Sequence, residues 1–279
     1  MEKILIFYGT EEFQGSLKRL KKEAEILNIF DKIIIYTPDD LPIHIKANPL
    51  MNYKKGGGYW IWKPYIIWKT LQDYPNSIVI YIDAGCTISK SEEWNYYIKV
   101  IKENDTILFQ YRNNYDYRWD KMWPNATTKI INWTKLNTQK YFDQLINDQN
   151  WHHFDKIMGG FIICKNSRNE FISNWLHVTL FKPDLLVDPF GNEIANQNID
   201  FIEHRHDQSI ITPLAYYFSK RVNNIKILLE TSESKIGNPA VIANRLRTQI
   251  KESLFKKVIY YIKKTLYKFK ENLFNFKNA

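Results

Sequence analysis

An apolar, largely β-branched run, Ile78-Val79-Ile80-Tyr81-Ile82, stops abruptly at Asp83-Ala84-Gly85-Cys86. A run without alternation predicts a strand buried on both faces of a mostly parallel sheet. Such sheets bind ligands beyond the carboxyl ends of their strands, where Asp83 falls. The chain before it opens as a β-α-β unit. Lys3 to Tyr8 reads as a strand, and Leu17, Leu20, Ala24 and Leu27 recur at helical spacing within Phe13 to Leu27. Ile33 to Tyr36 is a second strand, broken by Thr37-Pro38-Asp39-Asp40. The expected class is α/β.

The same reading continues downstream. Pro64 suits the first turn of a helix running to about Gln72. Ser89 to Lys102 reads as a helix capped by Ser91, and Thr106 to Tyr111 as a strand. Arg112 to Asn132 has no period and reads as a long loop or lid. A helical segment opens at Trp133-Thr134-Lys135 and runs through Leu145. Gly159-Gly160 precede a buried-type strand ending at Cys164, and Asn169 to Phe181 is a helix with Phe171, Trp175 and Leu176 inward. His177 on that helix reads as packing or surface rather than ligand. Asp207 is placed to cap a last helix.

Composition narrows the classes. Among 279 residues, nine Trp and eighteen Tyr are more than packing needs and suit sugar, base or lipid surfaces. No apolar run is long enough to span a membrane, and Ile4 to Tyr8 is too short for a signal peptide. Cys86 and Cys164 read as buried thiols in a reducing compartment. Of the net charge of +9, eight units fall in Arg245 to Ala279, which has ten basic and two acidic residues. The body is nearly neutral, which argues against a nucleic-acid binder; such a protein with a basic arm would lose all ligand binding when 245–279 is deleted. In the tail, Leu254, Val258, Ile262, Leu266, Phe269, Leu273 and Phe276 form one apolar stripe, with lysines opposite. That pattern fits a helix lying on an anionic membrane surface, or a helix packed on its own domain. The expected division is 1–244 and 245–279.

Candidate chemistry sits in three places. Asp83 could hold a cation, or cap a turn. Lys54 to Lys69 joins a glycine triplet, Trp60, Trp62 and Lys63 to a helix start, a pattern for an anion site or for a plain loop. His204 and His206 are two apart and could ligate metal, or belong to a surface charge cluster capped by Asp207.

Taken together, Gly58-Tyr59-Trp60-Ile61-Trp62-Lys63-Pro64, Tyr81-Ile82-Asp83-Ala84-Gly85-Cys86, Trp133-Thr134-Lys135 and His204-Arg205-His206-Asp207-Gln208-Ser209 resemble a family of bacterial glycosyltransferases of the GT-A fold, found among capsule and O-antigen synthesis enzymes. The resemblance covers about Lys3 to Tyr217 and implies a Rossmann-like nucleotide-sugar-binding fold. It implies Mn²⁺ or Mg²⁺ on the donor diphosphate, held by an Asp-x-Asp motif. Here Gly85 stands in place of the second Asp, which leaves more of the ligation to another residue. Asp83 with His204 would form the metal site. The resemblance places Thr10, Tyr59, Trp62, Lys63, Asp83, Ala84, Gly85, His206 and Gln208 around the donor, with Gly159 and Gly160 as the floor under a sugar. Asp207 would hold the donor or act as the catalytic base; Asp188, Asp155 and Glu203 are further candidate bases. The implied reaction moves a hexose, galactose or galactofuranose in type, from a UDP-sugar to a lipid-linked glycan. The enzyme would be cytoplasmic, on the inner face of the membrane. The other reading is a nucleotide- or sugar-binding protein that kept the fold without catalysis.

Overall fold

A computed structural model describes residues 1–113, 115, 117, 127–222 and 224–246. Six strands form one sheet in the order β2-β1-β3-β6-β5-β7. They are β1 (Glu2–Tyr8), β2 (Lys32–Tyr36), β3 (Ser77–Ile82), β5 (Thr106–Gln110), β6 (Phe161–Lys165) and β7 (Ile225–Leu229). β1 pairs parallel with β2 and β3, and β5 pairs parallel with β7; only β6 runs against its neighbours. A two-stranded ribbon, β4 (Thr87–Ile88) with β8 (Val241–Ile242), stands apart. The mostly parallel α/β sheet read from the sequence is present.

β3 lies between β1 and β6, and all six of its residues are buried, as its uninterrupted apolar run requires. Helices cover both faces. Phe161 pairs with Ile82, and Phe161 stacks on Phe109 at 4.3 Å under Trp94 and Tyr97 of α5 (Glu93–Glu103). Tyr81 points the other way, toward α4 (Lys63–Asp73), which packs against α7 (Glu170–Phe181), itself packed on α8 (Gln208–Arg221). α1 (Gln14–Leu27) buries Leu17, Leu20 and Ala24, as its spacing predicts, and a single turn, α2 (Ile43–Lys46), follows β2.

Several sequence expectations shift. The helix after Ser89 starts only at Glu93, because Ser89 N donates to the Ala240 carbonyl at 3.0 Å and Ser91 Oγ to the Asn238 carbonyl at 2.5 Å; Ser91 Oγ still accepts from the Glu93 amide at 3.1 Å. Ile130–Trp133 is a short 3-10 turn, and α6 (Leu136–Ile146) follows Trp133-Thr134-Lys135 rather than opening on it. On α7, Leu176 is half-buried and Ile172 and Val178 take the inward places; His177 is exposed. Cys86 and Cys164 are buried free thiols. Much of the expected lid, and the tail helix beyond Leu246, lie outside the described residues. Among the described residues no helix is long and apolar enough to cross a membrane.

Candidate active site

After β1 the chain goes to β2 on one side, and it returns to β3 on the other. The crevice created by that reversal lies beyond the carboxyl ends of β1 and β3. A cleft of about 810 Å³ opens there, with Tyr8 and Thr10 at the end of β1 and Asp83, Ala84 and Gly85 at the end of β3. Arg19 of α1 fixes the β3 turn, donating to the Ala84 and Cys86 carbonyls at 3.3 and 2.8 Å.

Beneath the cleft floor lies an ion triad. Lys63, the first residue of α4, is 1 % exposed. Its ammonium meets Asp207 Oδ2 at 2.5 Å, the Gly159 carbonyl at 3.1 Å and Asp83 Oδ1 at 3.2 Å, so each of its three protons has an acceptor. Burial alone would pull this ammonium down. The Asp207 and Asp83 carboxylates outweigh it and hold Lys63 above its usual range. Tyr81 Oη donates to Asp83 Oδ1 at 2.5 Å, and burial followed by that carboxylate pushes the phenol well up. Two carboxylates share one ammonium, leaving net negative charge at Asp83, whose side chain is 37 % exposed.

Gly159 and Gly160 make this approach possible. A Cβ on Gly159 would lie 2.7 Å from Asp207 Oδ2, and one on Gly160 would lie 3.0 Å from Asp83 Oδ2. Gly160 lines the cleft and Gly159 lies behind it against the buried pair, and in both places the missing side chain admits a carboxylate.

The glycine triplet has a definite form. Gly56, Gly57, Gly58, Tyr59 and Trp60 all have positive φ, making a turn of left-handed helix over α3 (Gly56–Tyr59). L-residues pay for that hand through a Cβ clash, and three glycines reduce the cost to two residues. The turn places Trp62 so that its indole donates to the Gly56 carbonyl at 3.0 Å and stacks on Tyr8 at 3.8 Å. Tyr59 and Trp62 therefore precede α4, which starts at Lys63.

Several expected donor residues lie behind the cleft wall. Tyr59 Oη donates to Asp188 at 3.0 Å, and burial followed by Asp188 pushes that phenol up to about 12. Lys55 also binds Asp188 at 2.8 Å. His206 stacks on Trp60 and is bonded through Nδ1 to the Leu186 carbonyl at 2.7 Å. His204 does not fit a metal ligand. Its Nδ1 accepts from the Lys135 amide at 3.2 Å, its Nε2 donates to the Leu185 carbonyl at 2.8 Å, and it is 1 % exposed. Asp207 does not fit a catalytic base. Oδ1 accepts from the Gln208 amide at 2.9 Å, Oδ2 is bound to Lys63, and the side chain is 8 % exposed. Of the other candidate bases, Asp155 pairs with Lys129 and Glu203 with Arg205.

The metal expectation fares poorly on chemistry. Asp83 already accepts from Lys63 and Tyr81 through Oδ1, and its partner position is Gly85. Among the described residues no group of three His, Cys, Asp or Glu converges on a common point. The described donor set does not make a divalent-metal centre.

Sequence reasoning missed Tyr8 and Arg245. Tyr8 was discoverable by the argument used for Asp83, since it ends an apolar strand just before Gly9-Thr10. Tyr8 and Gln208 line the cleft, and Tyr8 Oη and Gln208 Oε1 are buried without a hydrogen-bond partner among the described residues. Buried polar atoms of that kind fit a hydroxyl-bearing ligand.

No protein-family model and no curated protein sequence matches the chain. Solved structures similar in chain course include a glycosyltransferase involved in glycosylation of the major capsid of PBCV-1, at 8 % identity and TM-score 0.44, covering 87 % of this chain and 93 % of that one. Mouse xyloside xylosyltransferase 1 is 9 % identical with TM-score 0.43, covering 90 % and 100 %. The galactosyltransferase LgtC, solved with donor and acceptor sugar analogues, is 12 % identical with TM-score 0.36, covering 80 % and 72 %. At these values the likeness concerns general chain course, and function is read from the site.

Proposed function

We propose that the chain is a GT-A-type glycosyltransferase that moves a hexose from a nucleotide sugar to a glycan acceptor. The observation that carries this reading is the cleft between β1 and β3. There an open carboxylate, Asp83, is fixed by a buried lysine beside the unpartnered Tyr8 Oη and Gln208 Oε1. The aromatic pair Tyr8 and Trp62 is suited to a base or sugar face, and Asp83 and Gln208 to sugar or ribose hydroxyls. Thr10, Ala84, Gly85 and Gly160 complete the donor wall. Lys63 and Asp207 act beneath it as positioning residues. Asp207 fixes Lys63 and caps α8, and Lys63 fixes Asp83. Tyr59 and His206 brace the wall through Asp188 and Trp60.

The motif resemblance supports a UDP-hexose donor, galactose or galactofuranose in type, and a lipid-linked acceptor of surface-polysaccharide synthesis. The apolar and basic spacing of 245–279 supports a peripheral position on the inner membrane face, where such an acceptor would lie. Transfer requires positive charge against the departing diphosphate. Gly85 favours a second reading, a donor-binding protein without turnover.

The test is nucleotide release from a panel of UDP- and GDP-sugars, with and without Mn²⁺, by wild type and D83N. Slow release from one donor, falling by about a hundredfold or more in D83N, is the expected result. Tight donor binding with no release, even with membrane extract as acceptor source, would establish the binding protein. No binding of any donor would overturn both.

A further inference from the structure

The first residues of the 245–279 segment cross the donor turn. Leu246 N donates to the Gly85 carbonyl at 2.9 Å, and Ser16 Oγ donates to the Leu246 carbonyl at 3.2 Å. The β4–β8 ribbon holds the strap immediately upstream. A Cβ on residue 85 would lie 3.3 Å from Arg245 Cα and 3.6 Å from its carbonyl carbon. The position where Asp-x-Asp would put its second carboxylate is thus covered by the backbone of Arg245. The strap does more than fill space. Arg245 lines the same cleft as Asp83, and its side chain is 66 % exposed. One terminal nitrogen meets Glu233 Oε1 at 3.1 Å, and Tyr111 Oη donates to that same oxygen at 2.8 Å. Glu233 therefore orients the guanidinium while leaving donors for the cleft. The other cleft-side cations are less suited. Lys63 has spent its three protons beneath the floor, and Lys55 is committed to Asp188. Lys54 is a point charge on an exposed loop. A planar guanidinium matches two phosphate oxygens at once.

We propose that Arg245 binds the donor diphosphate and stabilises the departing nucleoside diphosphate, at the place where the Asp-x-Asp pattern would hold a metal. The proposal rests on the glycosyltransferase reading above. In the transfer step, the bond between the sugar's anomeric carbon and the diphosphate oxygen breaks, and its electron pair stays on the diphosphate. The acceptor hydroxyl oxygen bonds to that carbon, and its proton passes to the diphosphate or to water. Arg245 contributes fixed positive charge against the negative charge developing on the diphosphate, without a change in its own protonation. Gly85 and Arg245 thus form a matched pair, the glycine making room for the strap that carries the cation.

The experiment is calorimetric titration of the full chain with UDP, UMP, GDP and GMP in excess EDTA, for wild type, R245Q and R245K. Wild type is expected to prefer a diphosphate over its monophosphate with EDTA present. R245Q should lose about ten- to a hundredfold in diphosphate affinity and keep its monophosphate affinity. R245K should fall between, and it carries the comparison should R245Q fold poorly. Diphosphate binding that vanishes in EDTA and returns with Mn²⁺ would overturn the proposal. So would an unchanged diphosphate preference in a folded R245Q, and in either case the donor-binding reading stands. Wild type binding none of the four nucleotides would overturn both.

Discussion

Lys63 Nζ lies 2.5 Å from Asp207 Oδ2 across a separation of 144 residues, and both side chains are almost wholly removed from solvent. The pair joins the start of α4 to the start of α8 and anchors Asp83 at the cleft. Removing one partner of a buried pair leaves the other charge uncompensated, whereas removing both is far milder. K63M should cost about 3–5 kcal/mol in urea unfolding. K63M/D207N should be less destabilised than the sum of its single changes, because the stranded carboxylate is gone. Strict additivity in this cycle would show that the pair is not coupled.

Gly159 and Gly160 separate stability from ligand binding. Both substitutions add one methyl group, but they meet different carboxylates. G159A drives a Cβ to 2.7 Å from Asp207 Oδ2, inside the buried pair, and should cost about 1–3 kcal/mol of folding stability. G160A meets Asp83 Oδ2 at 3.0 Å, where the side chain is open to the cleft and can yield. It should leave the thermal midpoint nearly unchanged and weaken donor binding. Midpoints and donor titrations on the two variants check the contrast; equal loss of stability in both would contradict it.

The left-handed turn gives a ranked prediction. At Gly57 the added Cβ is tight against Thr10 Cγ2 alone, at 3.3 Å, and meets Trp62 Nε1 and Tyr8 Cε1 at ordinary contact distance, so the main loss in G57A should be the conformational cost, about 1–2 kcal/mol. At Gly56 the Cβ would sit 2.3 Å from the Trp60 ring, which must then leave its stack on His206. G56A should therefore be the more destabilised of the two in denaturant titrations, and should also disturb the cleft wall.

What the sequence disclosed follows from the range of the forces involved. The β3 run and its Asp83 terminus were legible because burial on both faces leaves an unbroken apolar signature. The α4 start was legible because Pro64 fits only a few helix positions. The glycine triplet was visible, but its hand was not, since flexible loops and left-handed turns use the same residues. The cap at Asp207 was legible, but its ion pair was not, because its partner, Lys63, lies far away in the chain. His204 looked like a ligand by spacing, yet the carbonyl and amide that occupy it come from the turn after α7 and the start of α6. Arg245 was assigned to the basic tail by counting charges, whereas Leu246 and Ser16 tie it to the body.

His204 also supplies a pH prediction. Its ring is neutral with Nε2 as donor, because Nδ1 faces the Lys135 amide. Burial foremost, then the nearby His206, holds its pKa well below the ordinary 6.5. His206 is likewise lowered, by burial. As pH falls, the unfolded chain binds these protons first. The stabilising contribution is therefore intact above pH 6.5 and is lost progressively below it, toward the folded-state value. His204 should remove about 1.4 kcal/mol of stability per pH unit once its unfolded ring is fully protonated, and His206 adds a smaller share. Urea unfolding at pH 7.5, 6.5 and 5.5 should show this decline over a range in which ordinary carboxylates stay ionised. H204Q should be less stable than wild type at pH 7.5, since glutamine reproduces the ring's two bonds imperfectly. It should also lose the larger part of the decline between pH 6.5 and 5.5, because His204 is held further below the ordinary value than His206. A variant with the wild-type slope would show that His204 is not held neutral by the fold.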